Sequence, residues 1–204
     1  STYLSILPPA ISDIRRNPLL EVPSNMSAQV QSIIYDTASP VLLDFDLDMN
    51  TGFLTFVFSD VMNTATFMAS QATLQNANST NVSPVAYFTL SSAQVQSSPD
   101  YVVVIKLSSS DLNRIKFLSS YSFASTRNNT FITIQALLIK NFGGSRTYPN
   151  LGAGVPVLSI IDGNGKQVRH FTPDTTPPTL VSFALDMNAL DLTLTFSETV
   201  NGTS

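Results

Sequence analysis

Residues 45–59 read FDLDMNTGFLTFVFS, and far downstream 183–197 read FALDMNALDLTLTFS. A chain that writes one alternating apolar pattern twice is constrained, because both copies need the same kind of surface to cover them. The correspondence runs without a gap over 29–66 against 167–204, and 12 of 27 positions from Pro40 and Pro178 onward are identical. Upstream, Pro18 and Leu20 match Pro156 and Leu158 in the same alignment. At the start, TYLSI (2–6) aligns with TFITI (130–134) only across a gap, so a loop near 143–155 is about ten residues longer in the later copy. The expected organisation is the end of one unit over 1–38, a whole unit over 39–176 and the beginning of a third over 177–204. The chain opens at Ser1 in what reads as mid-strand and shows no signal peptide, so it is expected to be a piece of a longer tandem array.

The period inside a unit is two. Leu54, Phe56 and Phe58 alternate with Thr55 and Val57, and Leu192, Leu194 and Phe196 alternate with Thr193 and Thr195. Such alternation predicts strands with one buried face. Segments 42–48 and 53–59 form a predicted hairpin about Met49-Asn50-Thr51-Gly52. Further strands are predicted at 86–91, 101–107, 130–139, 156–161 and 166–171, the last two joined as a hairpin by Asp162-Gly163-Asn164-Gly165. Many short strands at close spacing predict an all-β fold, a β-sandwich. SSSDLNRIKFL (108–118) departs from this, with Leu112, Ile115 and Leu118 three apart and Ser108 and Asp111 set as a capping box. It predicts one short helix closing an end of the sandwich.

Composition narrows the function. Only 12 % of residues are charged, against about 25 % in average globular chains, and 43 % are hydrophobic, which argues for a packed core rather than disorder. There is no cysteine, so neither a disulfide framework nor a thiolate metal site can form. A net charge of −4, with Arg15-Arg16 the one basic doublet, argues against a nucleic-acid partner. No apolar run approaches the roughly 18–20 residues of a membrane span. TPDTTPPT (172–179) and IYDTASPV (34–41) read as linkers, whose prolines stiffen the chain toward extended geometry. The implied shape is a semi-rigid rod.

These residues carry a resemblance. DTTPPTLVSF followed by LTLTFSE, together with LSSSDLNRIKFL and TFITI…IKNFGG, is similar to the large Ig-like tandem repeats in surface proteins of bacteria and marine protists. The resemblance spans most of a unit and implies Ig-like sandwiches in tandem. A D-x-x-G-N turn belongs to that pattern. Here it stands as Asn141-Phe142-Gly143-Gly144-Ser145 and as Asp13-Ile14-Arg15-Arg16-Asn17, neither of them complete.

Candidate sites are few. Asp44, Asp46 and Asp48 line one strand face, but Ser182 and Ala184 replace the first two in the other copy, so a charge-guarded solvated face is the simpler reading. Asp36 and Asp174, beside the linkers, are calcium candidates set against the commoner role of aspartate in turns. Asp162-Gly163-Asn164-Gly165 lacks the distal glutamate of a calcium loop. His170 is the sole histidine and no G-x-S-x-G surrounds any serine, so no catalytic residue is assigned and no cofactor is expected. Sequons stand at Asn25, Asn78, Asn81, Asn128 and Asn201, with 76–83 expected to be an exposed loop. The expected role is a structural module of an extracellular or cell-surface rod, stalk or filament, partnered by neighbouring repeats and copies of itself. The alternative is an adhesin stalk presenting a carbohydrate- or surface-binding tip.

Overall fold

The computed structural model describes residues 2–81, 83, 85–143, 154–200 and 202, and the chain divides into two units, Ser1–Asp36 and Thr37–Ser204. In the first, β1 (Tyr3–Leu4) runs antiparallel to β2 (Ala28–Gln29), with Tyr3 opposite Gln29. Bridges Ile6–Val22 and Ser12–Pro18 carry the ladder inward to a tip. There the Asp13 carboxylate accepts from the Asn17 side chain and from the Asn17 and Arg15 amides, which holds its pKa below the usual carboxylate range. All of the buried hydrophobics described lie in the second unit.

The second unit begins with β3 (Leu42–Asp48) and β4 (Phe53–Phe58), paired so that Phe45 faces Phe56. Their turn works through Asp48, whose carboxylate accepts the Asn50 and Thr51 amides, and through Gly52 at φ +70°. After β5 (Met62–Asn63) come β6 (Ala72–Gln75), β7 (Tyr87–Thr89), β8 (Ala93–Val95) and β9 (Val102–Leu107). Then follow α1 (Ser109–Leu118), β10 (Phe131–Ile134), β11 (Lys140–Asn141), β12 (Lys166–Gln167) and β13 (His170–Thr172). One sheet has the order β13-β3-β4-β9-β8, another β12-β10-β6-β7, and β11 pairs with β5. The strand alternation puts Leu42, Phe45, Leu54, Phe56, Val103 and Ile105 into one core with Leu74, Ile132 and Ile134 of the other sheet. Each such Leu, Ile or Phe contributes about 1.5–3 kcal/mol on burial. The fold is all-β and sandwich-like, with a single α-helix among the described residues.

Three expectations need correction. Segments 156–161 and 166–171 do not pair with one another. Ile160 bridges Ile134, while Lys166 and Gln167 pair with Ile132 and Phe131, so both segments run along the same side of β10, and the chain then crosses to the other sheet, where His170–Thr172 pairs with β3. The Asp162–Gly165 turn loops out between the two segments because both of its glycine amides donate to the Asn78 carbonyl. The strand expected over 130–139 stops at Ile134, where a 3₁₀ turn (Ala136–Leu138) intervenes. The capping box is half formed. Ser108 Oγ accepts the Asp111 amide, but the Asp111 carboxylate turns inward, away from the Ser108 backbone, and accepts from the Ser91 amide and hydroxyl and the Ser92 amide. Long-range hydrogen bonds to a buried carboxylate outweigh a local cap.

The last hairpin, β14 (Leu180–Asp186) and β15 (Asp191–Phe196), has Phe183 opposite Leu194 and a register shift between Leu180 and Ser182. β3–β4 shows the same pairing and the same shift at the equivalent place, between Leu42 and Asp44. Asp186 caps its turn through the Asn188 and Ala189 amides as Asp48 caps the first. The apolar side of this hairpin is exposed.

Candidate functional site

Each proline removes one backbone donor, so the segment 172–179 has fewer amides for a sheet ladder and is held through side chains from elsewhere. For 173–176 the anchor is Asn50 in the β3–β4 turn. Its side-chain amide donates to the Pro173 carbonyl at 2.9 Å, and its oxygen accepts from the Thr175 amide at 2.8 Å and the Thr176 hydroxyl at 3.0 Å. The Met49 amide donates to the Thr172 carbonyl just before it.

Helix α1 supplies the second anchor. Lys116, in its last turn, meets Asp174 at 3.0 Å and pairs with Glu198, which follows β15. Burial lowers the Lys116 pKa, but the hydrogen bonds and charges of Glu198 and Asp174 outweigh it and hold the ammonium above its ordinary value. The Thr199 hydroxyl donates to the Asn113 carbonyl at 3.3 Å. Beside this cluster lies a cavity of about 560 Å³, lined by Met49, Lys116, Phe117, Phe171, Asp174 and Glu198 among others. The serine hydroxyls of the adjoining turn are engaged, Ser119 on the Lys116 carbonyl and Ser120 on that of Phe117. The arrangement joins α1, the segment at 173–176 and the last hairpin through one cation shared by two carboxylates.

Other carboxylates are likewise committed to protein groups. Asp46 accepts two hydrogen bonds from the Arg169 guanidinium, at 3.0 and 2.6 Å, with Asp44 3.8 Å from the same group, and this pins β13 beside β3. Asp162 accepts from the Thr80 amide and hydroxyl and from Gln75. Its hydrogen bonds with Thr80 hold its pKa low. Asn141 is buried, donates to Asp60 and accepts the Gly143 and Val155 amides. His170 is exposed on β13. Asp174 faces Lys116, while Asp36 is exposed, outside any helix or strand, at the end of the first unit. Among the described residues no group of three or more His, Cys, Asp or Glu is arranged to hold a metal ion, and no helix is long and apolar enough to cross a membrane.

The sequon asparagines Asn25, Asn78, Asn81 and Asn128 are exposed, Asn25 in a 3₁₀ turn and Asn78 and Asn81 in the loop held by Asp162, while Asn201 lies outside the described residues. Sequence reasoning did not single out Lys116, Glu198, Asn50 or Arg169. Asn50 left a signal, since it recurs as Asn188; the others are isolated charges whose partners stand far away in sequence. No family model, curated protein or solved structure matches the chain.

Proposed function

We propose that the chain is a structural module of an extracellular or cell-surface repeat protein, an Ig-like sandwich in tandem whose work is to extend a rod, stalk or filament. The observation that carries this reading is the recurrence of pairing. Beyond the two hairpins, Phe131–Gln167, Ile134–Ile160 and Lys140–Pro156 of the second unit correspond to Tyr3–Gln29, Ile6–Val22 and Ser12–Pro18 of the first. Segments that align in sequence thus share a register, as tandem units do.

The joint around Lys116 and Asn50 supports a mechanical role. It ties the linker at 173–176 to the body of 39–176 and to the hairpin beyond, restricting the bend between successive units. Exposed sequons support a glycosylated, secreted setting, and the commitment of polar side chains to structural hydrogen bonds favours a non-enzymatic role. Electron microscopy of native material labelled with an antibody to this chain tests the reading. Label at a regular axial spacing along fibres is the expected result, and label on dispersed globular particles would overturn it.

A further inference from the structure

The open side of β14–β15 has an internal template for what covers it. Phe183 is 68 % and Met187 70 % exposed, whereas their counterparts in the first hairpin, Phe45 and Met49, are 0 % and 2 %. In the second unit, Phe45 and its neighbours share a core with Ile132, Ile134, Val157 and Val168, against which Phe171 packs. The first unit carries Leu4, Ile6, Leu19, Val30 and Ile33 at the corresponding places, all apolar. Its ladder has the same register, and Leu4, Leu19, Val30 and Ile33 are exposed.

Charge matches as well. Where Arg169 binds Asp46 and approaches Asp44, the corresponding residues are Gln31, Ala184 and Ser182. The cation and both anions are absent together, so joining the two pieces strands no charge.

We propose that residues 2–34 of one copy dock on the Leu180–Phe196 hairpin of a second copy, head to tail. Ser32, Ile33 and Ile34 then run parallel to Ala184, Leu185 and Asp186, as His170, Phe171 and Thr172 run parallel to Asp46, Leu47 and Asp48. The Met187 amide donates to the Ile34 carbonyl, as Met49 does to Thr172, and the Gln31 amide to Phe183, as Arg169 does to Phe45. Such a contact is heterologous, so it builds an open chain where the rotation between copies does not close and a ring where it does. The proposal rests on the repeat reading above but not on the extracellular setting.

The chain contains no cysteine, which makes a cross-linking test clean. Ser32→Cys and Ala184→Cys chains, mixed and oxidised, should give a disulfide dimer, because neighbouring strands stand about 4.7–4.9 Å apart, within disulfide reach. The double variant should give a ladder of multimers. Adding Phe183→Asp to the Ala184→Cys chain should abolish the dimer, and pairing Ser32→Cys with Leu185→Cys, which points to the other face, should cut its yield several-fold.

An unlinked mixture, monomeric by sedimentation, overturns the docking. So does Ala184→Cys cross-linking to itself, which would mean hairpin on hairpin. An Asp46→Cys/His170→Cys chain separates the two readings. If it cross-links internally while the 32–184 pair does not, docking fails and the repeat template stands; if it too fails, both fall.

Discussion

Phe45 and Phe183 hold the same place in two hairpins of the same register, one opposite Phe56 and the other opposite Leu194, yet Phe45 is fully buried and Phe183 lies open to solvent. The strand geometry is local, and the burial is not. A hairpin can be specified by its turn and its cross-strand pairs, while a core needs strands from elsewhere in the chain. The same substitution should therefore cost about 3–5 kcal/mol as Phe45→Ala and within about 0.5 kcal/mol as Phe183→Ala in dilute protein. Urea unfolding of the two variants measures the difference.

The turns of the two hairpins differ at two positions, Thr51 against Ala189 and Gly52 against Leu190. Gly52 sits at φ +70°, and its counterpart Leu190 is held at φ +59°. A bulky residue in the left-handed region carries a strain of roughly 1 kcal/mol or more. Leu190→Gly should slow amide exchange in β14–β15 by a few-fold. Gly52→Ala should do the reverse in β3–β4, with added crowding because a Cβ there would stand 3.0 Å from Leu112 Cδ2.

Asp111 is buried and receives the Ser91 amide at 2.7 Å, the Ser91 hydroxyl at 2.5 Å and the Ser92 amide at 3.3 Å. Asp111→Ala would leave those donors without a partner beneath α1. The expected loss is about 2–4 kcal/mol, with a lowered urea midpoint. Asp111→Asn, which keeps one acceptor oxygen, should recover part of it.

Stability should fall in acid through Asp46. Burial acts to raise its pKa, but the Arg169 hydrogen bonds and charge outweigh this and hold it low. A carboxylate with a lowered folded pKa stabilises fully above its unfolded value of about 3.9, and that share is lost as pH falls through the folded pKa. The urea midpoint of Asp46→Asn should vary less between neutral pH and this acid window than that of the unmodified chain. The difference should be modest, because Arg169 is exposed to water, which screens the pair.

Lys116 should govern the joint without governing the core. Lys116→Met removes the cation between Asp174 and Glu198 and leaves the two carboxylates with like charge. Hydrogen exchange over 174–199 should quicken by roughly tenfold, about 1.4 kcal/mol of local opening, while β4 and β9 keep their protection. Against burial, the hydrogen bonds and charges of Glu198 and Asp174 hold the Lys116 pKa above its ordinary value. A cation with a raised folded pKa stabilises fully below its unfolded value of about 10.4 and loses that share as pH rises through the folded pKa.

The amino-acid sequence determined the local terms of this protein. Alternating Leu and Phe in β3 and β4, and Val103, Ile105 and Leu107 in β9, set which face of each strand is apolar, Asp48 and Gly52 set the turn, and Ser108 with Leu112, Ile115 and Leu118 set the helix, because each depends on neighbours within a few residues. Tertiary structure alone decided partnership. It placed β13 parallel to β3, looped 162–165 out to meet Asn78, turned Asp111 toward Ser91 and brought Lys116 between Asp174 and Glu198. Hydrophobic burial is non-directional, so an apolar face does not name the strand that will cover it. That choice belongs to the whole chain, where long-range packing and the satisfaction of buried polar groups must be met together.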